Sequence, residues 1–107
     1  MECHISIKKD GNCFLNAVKT ELLKEIIQSG SLSGAAKNLK ISYQHAWNMI
    51  DEMNRVAPEP LVIMQRGGTN GGGALISAYG ERILGEYYQI QAQFNTIVSQ
   101  INVEINL

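Results

Sequence analysis

The chain has 107 residues, 45% of them hydrophobic and 18% charged, with a net charge of −1. That length supports one core and one domain, and no apolar run approaches the ~20 residues that span a bilayer. The charge balance excludes binding to nucleic acid by overall attraction, so any such role must come from a local surface.

The opening MECHISIKKDGN lacks the apolar stretch and cleavage site of a signal peptide, so the expected compartment is the cytoplasm. Cys3 and Cys13 are too few for a disulfide framework and read as reduced thiols. With His4 and His45 they offer four nitrogen or sulfur ligands, but the CxxC and HxxxH spacings of a tetrahedral site are missing, and no metal is expected.

Across 3–8, Cys3, Ile5 and Ile7 alternate with His4, Ser6 and Lys8, the period of a half-buried strand. Asp10-Gly11 is a hairpin turn signal, and CFL after it is a short return strand. Asn16 is placed to cap a helix over 17–28, in which Val18, Leu22, Leu23, Ile26 and Ile27 recur at helical spacing before Ser29-Gly30 ends it. Next, Leu32, Ala35, Ala36 and Leu39 fall at i, i+3, i+4 and i+7, a helix of about two turns with one apolar stripe. Ser42 caps a third helix over 43–55. Its core stripe is Ala46, Ile50 and Met53, which leaves Tyr43, Gln44, His45, Trp47, Asn48 and Asp51 on or near the other faces.

Pro58 and Pro60 stop that helix, LVIMQR then reads as a strand, and ALIS after the glycines as a second one. Between them lies GGTNGGG, five glycines in seven positions. A Walker loop would continue with Lys-Ser or Lys-Thr, and no frame of 67–73 supplies the G-x-G-x-x-G of a dinucleotide site. The segment is therefore the tip of a hairpin. His45 has no nucleophile or carboxylate constellation around it, so neither an enzyme nor a cofactor is expected.

From 79 to about 104, Ile83, Tyr87, Ile90, Phe94, Ile97 and Ile101 recur in steps of four, three, four, three and four, an a/d heptad seam. A helix of roughly 26 residues is about 39 Å long, too long to be covered by the core of so small a chain. The seam is expected to pair with that of a second copy, giving a homodimer. Packing of Leu84 and Tyr88 on their own domain is the alternative, and the first turns can serve the core while later ones serve the partner.

The order strand hairpin, helix, helix, turn, helix, glycine-tipped hairpin, long helix predicts a mainly α fold with a small β component. It is a winged helix-turn-helix with a long C-terminal dimerisation helix. The expected layout is a single domain over 1–107, with an N-terminal hairpin at 1–15, three helices at 17–56, a wing at 61–77 and the dimerisation helix at 78–105. In such a fold helix 43–55 enters the major groove of double-stranded DNA. Gln44 and Asn48, one turn apart, can each donate to and accept from a base edge, most naturally adenine. Tyr43 and His45 can touch phosphate, sugar or a thymine methyl, and the N–H groups at the Ser42 end face phosphates. Trp47 has two placements, against the first helix or beside the groove, with the core favoured.

LLKEIIQSGSLSGAAKNLKISYQHAWNMIDEMN, followed by PLVIMQRGGTNGGGALISAYGERIL, resembles the N-terminal DNA-binding domain of molybdate-responsive ModE-type regulators, relatives of the LysR-type winged helices. The resemblance covers 5–93, and ISYQHAWNMIDEMN and the wing followed by LISAYGERIL are its most specific parts. It implies a dimeric transcription regulator on an inverted-repeat operator, with 43–55 reading bases. It also implies that the loop at 66–73, carrying Arg66, Thr69 and Asn70, contacts the backbone or minor groove, and that the first strand region and terminal helix build the dimer. Family members usually carry molybdate-binding domains after this region. The sequence stops at Leu107, so molybdate is not expected to bind this chain, and no residue pattern identifies another effector. Thr69 and Asn70 stand where the family tends to place a wing lysine, which leaves Arg66 as the cation of the tip. The competing reading from another class is a winged-helix protein–protein interaction module with little or no DNA affinity, supported by the near-neutral charge.

Overall fold

The computed structural model describes residues 3–65 and 73–101. Two short strands, β1 (Ile7–Lys9) and β2 (Asn12–Leu15), form an antiparallel hairpin, followed by α1 (Ala17–Ser29), α2 (Leu32–Leu39) and α3 (Tyr43–Val56). A second hairpin, β3 (Val62–Met64) with β4 (Ala74–Ile76), leads into α4 (Ala78–Gln100).

Local chemistry sets each boundary. Asp10 (φ 52°) and Gly11 (φ 81°) both take the left-handed conformation that a two-residue hairpin turn requires. Asn16, Ser31, Ser42 and Ser77 each accept a hydrogen bond from a backbone N–H in the first turn of the helix that follows, filling donors that the helix itself leaves open. Gly30 ends α1 at φ 72°, and Lys40, also left-handed at φ 58°, ends α2. The Lys40 and Ile41 N–H groups donate back to Lys37 and Ala36 carbonyls, closing a turn short enough to set α3 directly against α2.

Leu22, Leu23 and Ile26 of α1, Leu32, Ala35 and Ala36 of α2, and Ala46, Met49, Ile50 and Met53 of α3 meet in one core. Leu15, Leu61, Val62, Ala74, Leu84 and Tyr87 close it from the hairpins and from α4. The stripe expected for the third helix is therefore buried, with Met49 added. Two apolar positions counted by spacing in the first helix's stripe stay in the helix but outside the core: Val18 is 55% exposed and Ile27 50%. The interior side of α1 instead holds Lys19 and Thr20. Lys19 Nζ reaches Cys13 O at 2.6 Å and Glu52 Oε1 at 3.0 Å, and Thr20 Oγ1 donates to the Asn16 and Ala17 carbonyls, so both polar tips are satisfied.

Candidate nucleic-acid interface

The geometry of α3 follows from its two faces. Ala46, Met49, Ile50 and Met53 are buried, which turns Tyr43, Gln44, His45, Trp47 and Asn48 outward. Tyr43 is 51% exposed and Trp47 41%, so the favoured placement of Trp47 in the core is corrected: Ala46 and Ile50 already fill the interior side of that turn. Gln44 Nε2 donates to Asn48 Oδ1 at 2.9 Å, a bond that leaves the Gln44 carbonyl and the Asn48 amide nitrogen to face other groups. Ser42 caps the helix through the His45 N–H at 3.0 Å. The result is two carboxamides and two aromatic side chains on one solvent-facing helix end.

Beyond the shared core, one side chain of α3 hydrogen-bonds the start of the second hairpin. Asn54 Nδ2 donates to Val62 O at 3.0 Å, and its Oδ1 accepts from Leu61 N at 2.9 Å and Val62 N at 3.3 Å. One carboxamide thus meets the backbone where β3 begins. On the other edge Ala74 N donates to Gly30 O at 3.1 Å, tying β4 to the end of α1. The tip between the strands carries Arg66, Thr69 and Asn70, and these three lie outside the described residues.

Along α4 the heptad positions divide. Ile83 packs on the core, and Tyr87 is buried at 3% exposure with its hydroxyl donating to Ile5 O at 3.1 Å. Gln91 Nε2 donates to Cys3 O at 2.9 Å, so the N-terminal segment lies along this part of the helix. Tyr87, expected in a seam between chains, is therefore occupied by its own chain. Ile90, Phe94, Ile97 and Ile101 are exposed at 38%, 44%, 53% and 44%. Burial raises the Tyr87 phenol above its usual range, and burial with the Glu21 carboxylate nearby does the same for Tyr88.

Two contacts that position the site had no sequence signal of their own. Asn54 and Lys19 sit at unremarkable helix positions, and only the assembled fold shows what their polar tips reach. Cys3 and Cys13 are free, half-buried thiols. Among the described residues no group of three His, Cys, Asp or Glu side chains is placed to hold a metal, and no helix is long and apolar enough to cross a membrane.

Two close-packed helices joined by a tight turn, a two-stranded hairpin on the second of them and a long helix leading away define a winged helix-turn-helix protein. The same architecture recurs in the full-length LTTR LysG of Corynebacterium glutamicum with bound effector Arg. That match has a TM-score of 0.56 and 22% identity, and it covers 79% of this chain and 28% of that one. Within the class, the relatives this chain resembles in sequence are ModE-type transcriptional regulators. It is 43% identical over 80% of its length to transcriptional regulator ModE of Haemophilus influenzae and 39% identical over 86% to the DNA-binding transcriptional dual regulator ModE of Escherichia coli K12. It is also 35% identical over 95% of its length to the molybdenum transport protein ModE of Azotobacter vinelandii. These matches cover 34%, 35% and 38% of the relatives, so the chain spans about a third of their length. No protein-family model matches it.

Proposed function

We propose that the protein is a sequence-specific DNA-binding transcription regulator. It works in the cytoplasm as a homodimer on an inverted-repeat operator, with α3 in the major groove and the β3–β4 wing, tipped by Arg66, Thr69 and Asn70, against the backbone. The observation that carries the reading is the outward pair Gln44 and Asn48, joined at 2.9 Å on the capped end of α3. Each carboxamide can pair with an adenine edge, and their mutual bond restricts both side chains before DNA arrives. Tyr43, His45 and Trp47 beside them supply contacts to sugar, phosphate or a thymine methyl, and the N–H groups beyond Ser42 face a phosphate. The ModE relatives, named as transcriptional regulators, support the same role.

Dimerisation has its own support in the exposed seam Ile90, Phe94, Ile97 and Ile101. Two copies joined there would present two recognition helices to two half-sites, and the combined binding would compensate for a surface of small net charge.

The double variant Gln44→Ala, Asn48→Ala tests the assignment on a DNA fragment enriched by the wild-type protein. With about 1–3 kcal/mol per base contact, operator affinity should fall about thirtyfold or more while fold and oligomeric state are kept. Undiminished affinity would remove α3 as the reading helix.

A further inference from the structure

We propose that the tip of the β1–β2 hairpin, together with Arg55, is a second contact for the DNA backbone, a phosphate site separate from the β3–β4 wing. The inference rests on the reading of α3 as the recognition helix. Gln44, Asn48, Asp51 and Arg55 follow one another at steps of four, three and four and so lie along one helix face. Arg55 stands about 10 Å beyond Asn48 along the axis. The major groove is only about 12 Å wide, so a helix whose first turns sit at base edges carries its last turn out over a sugar–phosphate strand.

At that end of α3 the first hairpin is waiting. Lys9, Asp10 and Asn12 line one cleft of about 250 Å³ with Arg55 and Val56. The left-handed pair Asp10 and Gly11 makes the turn tight, and Lys9 pairs with Asn12 directly beside it. The hairpin is tied to the helix by the Lys19 ammonium, which bridges Cys13 O on β2 and Glu52 on α3. Lys9 is exposed, and the Arg55 side chain is 70% exposed, so both cations meet solvent. Arg55 gives its Nε to Asp51 at 3.0 Å. That bond steadies a five-donor fork whose other N–H groups suit a phosphate oxygen. The ligand chemistry is a phosphodiester, with no base reading, because the cleft offers charge and backbone geometry rather than a second row of carboxamides.

The test compares the full chain with Lys9→Gln, Arg55→Gln and with Asp10→Asn, on a random-sequence duplex and on the enriched operator, over a series of salt concentrations. Asparagine tolerates the left-handed conformation at position 10, and none of the three side chains belongs to the core. In the double variant, affinity should fall by the same factor on both duplexes, and the salt dependence should become shallower by about two units per protomer bound, close to four for a dimer, roughly 0.9 for each lost phosphate contact. Asp10→Asn should move the other way, binding both duplexes more tightly. A salt slope unchanged in the double variant, or weaker binding in all the variants, would overturn the hairpin contact. If Gln44→Ala, Asn48→Ala still abolished operator discrimination, the reading of α3 would stand without it. A wild-type protein that bound neither duplex would overturn both.

Discussion

Lys19 Nζ on α1 lies 3.0 Å from Glu52 Oε1 on α3, with its side chain 6% exposed against 41% for the carboxylate. The pair is asymmetric: water can serve Glu52 if Lys19 is lost, but nothing near solvent serves a stranded Lys19 ammonium. Lys19→Met, which keeps the volume of the aliphatic stem, should cost about 1 kcal/mol, chiefly from the abandoned Cys13 carbonyl. Glu52→Leu should cost more, about 2 kcal/mol, because it leaves a buried charge partly uncompensated. Urea unfolding reads both as lower midpoints at an unchanged m-value. Equal costs, or the reverse order, would show that the ammonium reaches water.

Glycines 80 and 85, five positions apart on α4, should respond to alanine with opposite signs. A Cβ at Gly80 would collide with the Leu61 carbonyl oxygen and meet Ile76 Cγ2 at 3.0 Å, whereas nothing lies within 4 Å of one at Gly85. The Leu61 oxygen already accepts from Ser77 N at 2.9 Å, so it has little freedom to retreat. Gly80→Ala should destabilise by about 2 kcal/mol through forced separation of α4 from the base of the wing. Gly85→Ala should stabilise by about 0.5–1 kcal/mol through the ordinary helix preference. Thermal melts of the two variants check the pair directly.

Alkaline pH should weaken the fold through Tyr87. Its folded pKa is raised above the ordinary value of 10.0, chiefly by burial, so the folded state favours the neutral phenol. Below pH 10 that preference changes nothing with pH. As pH rises through the ordinary value toward the higher folded one, the unfolded chain loses its proton first and stability falls. Tyr87→Phe removes the Tyr87 share of this decline, leaving that of Tyr88, and costs about 1 kcal/mol from the lost bond to Ile5 O. Stability curves of both proteins from neutral pH upward should converge in the alkaline range; parallel curves would mean that another group titrates.

The late seam should control association and little else. Phe94→Glu, Ile97→Glu replaces side chains 44% and 53% exposed in one chain, so helix content should be kept. Losing two apolar anchors should weaken the dimer by on the order of 3 kcal/mol, about 100-fold or more in Kd. Sedimentation velocity over a dilution series measures it, and a mass equal to that of the wild-type protein at every dilution would rule out this seam as the interface.

Much of the architecture is readable in the sequence because caps and turns are local chemistry. Asn16 and Ser42, read as caps, sit immediately before their helices, and Asp10-Gly11 names its own hairpin. The outward face of α3 also follows from the spacing of Ala46, Ile50 and Met53. Periodicity misleads where a helix has more apolar residues than interior positions, as with Val18 and Ile27, and where a long charged side chain lies inward, as Lys19 does. Trp47 misleads for a related reason. Size and hydrophobicity favour the interior, yet small Ala46 already lets α3 approach its neighbours closely. The contacts of Tyr87 with Ile5 and of Gln91 with Cys3 join residues more than 80 positions apart, a distance over which no local pattern carries information.

Enrichment of bound fragments from sheared genomic DNA, repeated at two salt concentrations, tests operator recognition most directly. The expected result is an inverted repeat, retained at the higher salt and lost with Gln44→Ala, Asn48→Ala. A protein that is folded and dimeric yet enriches no sequence at either salt would contradict DNA reading by α3 and favour a protein partner for the same exposed face.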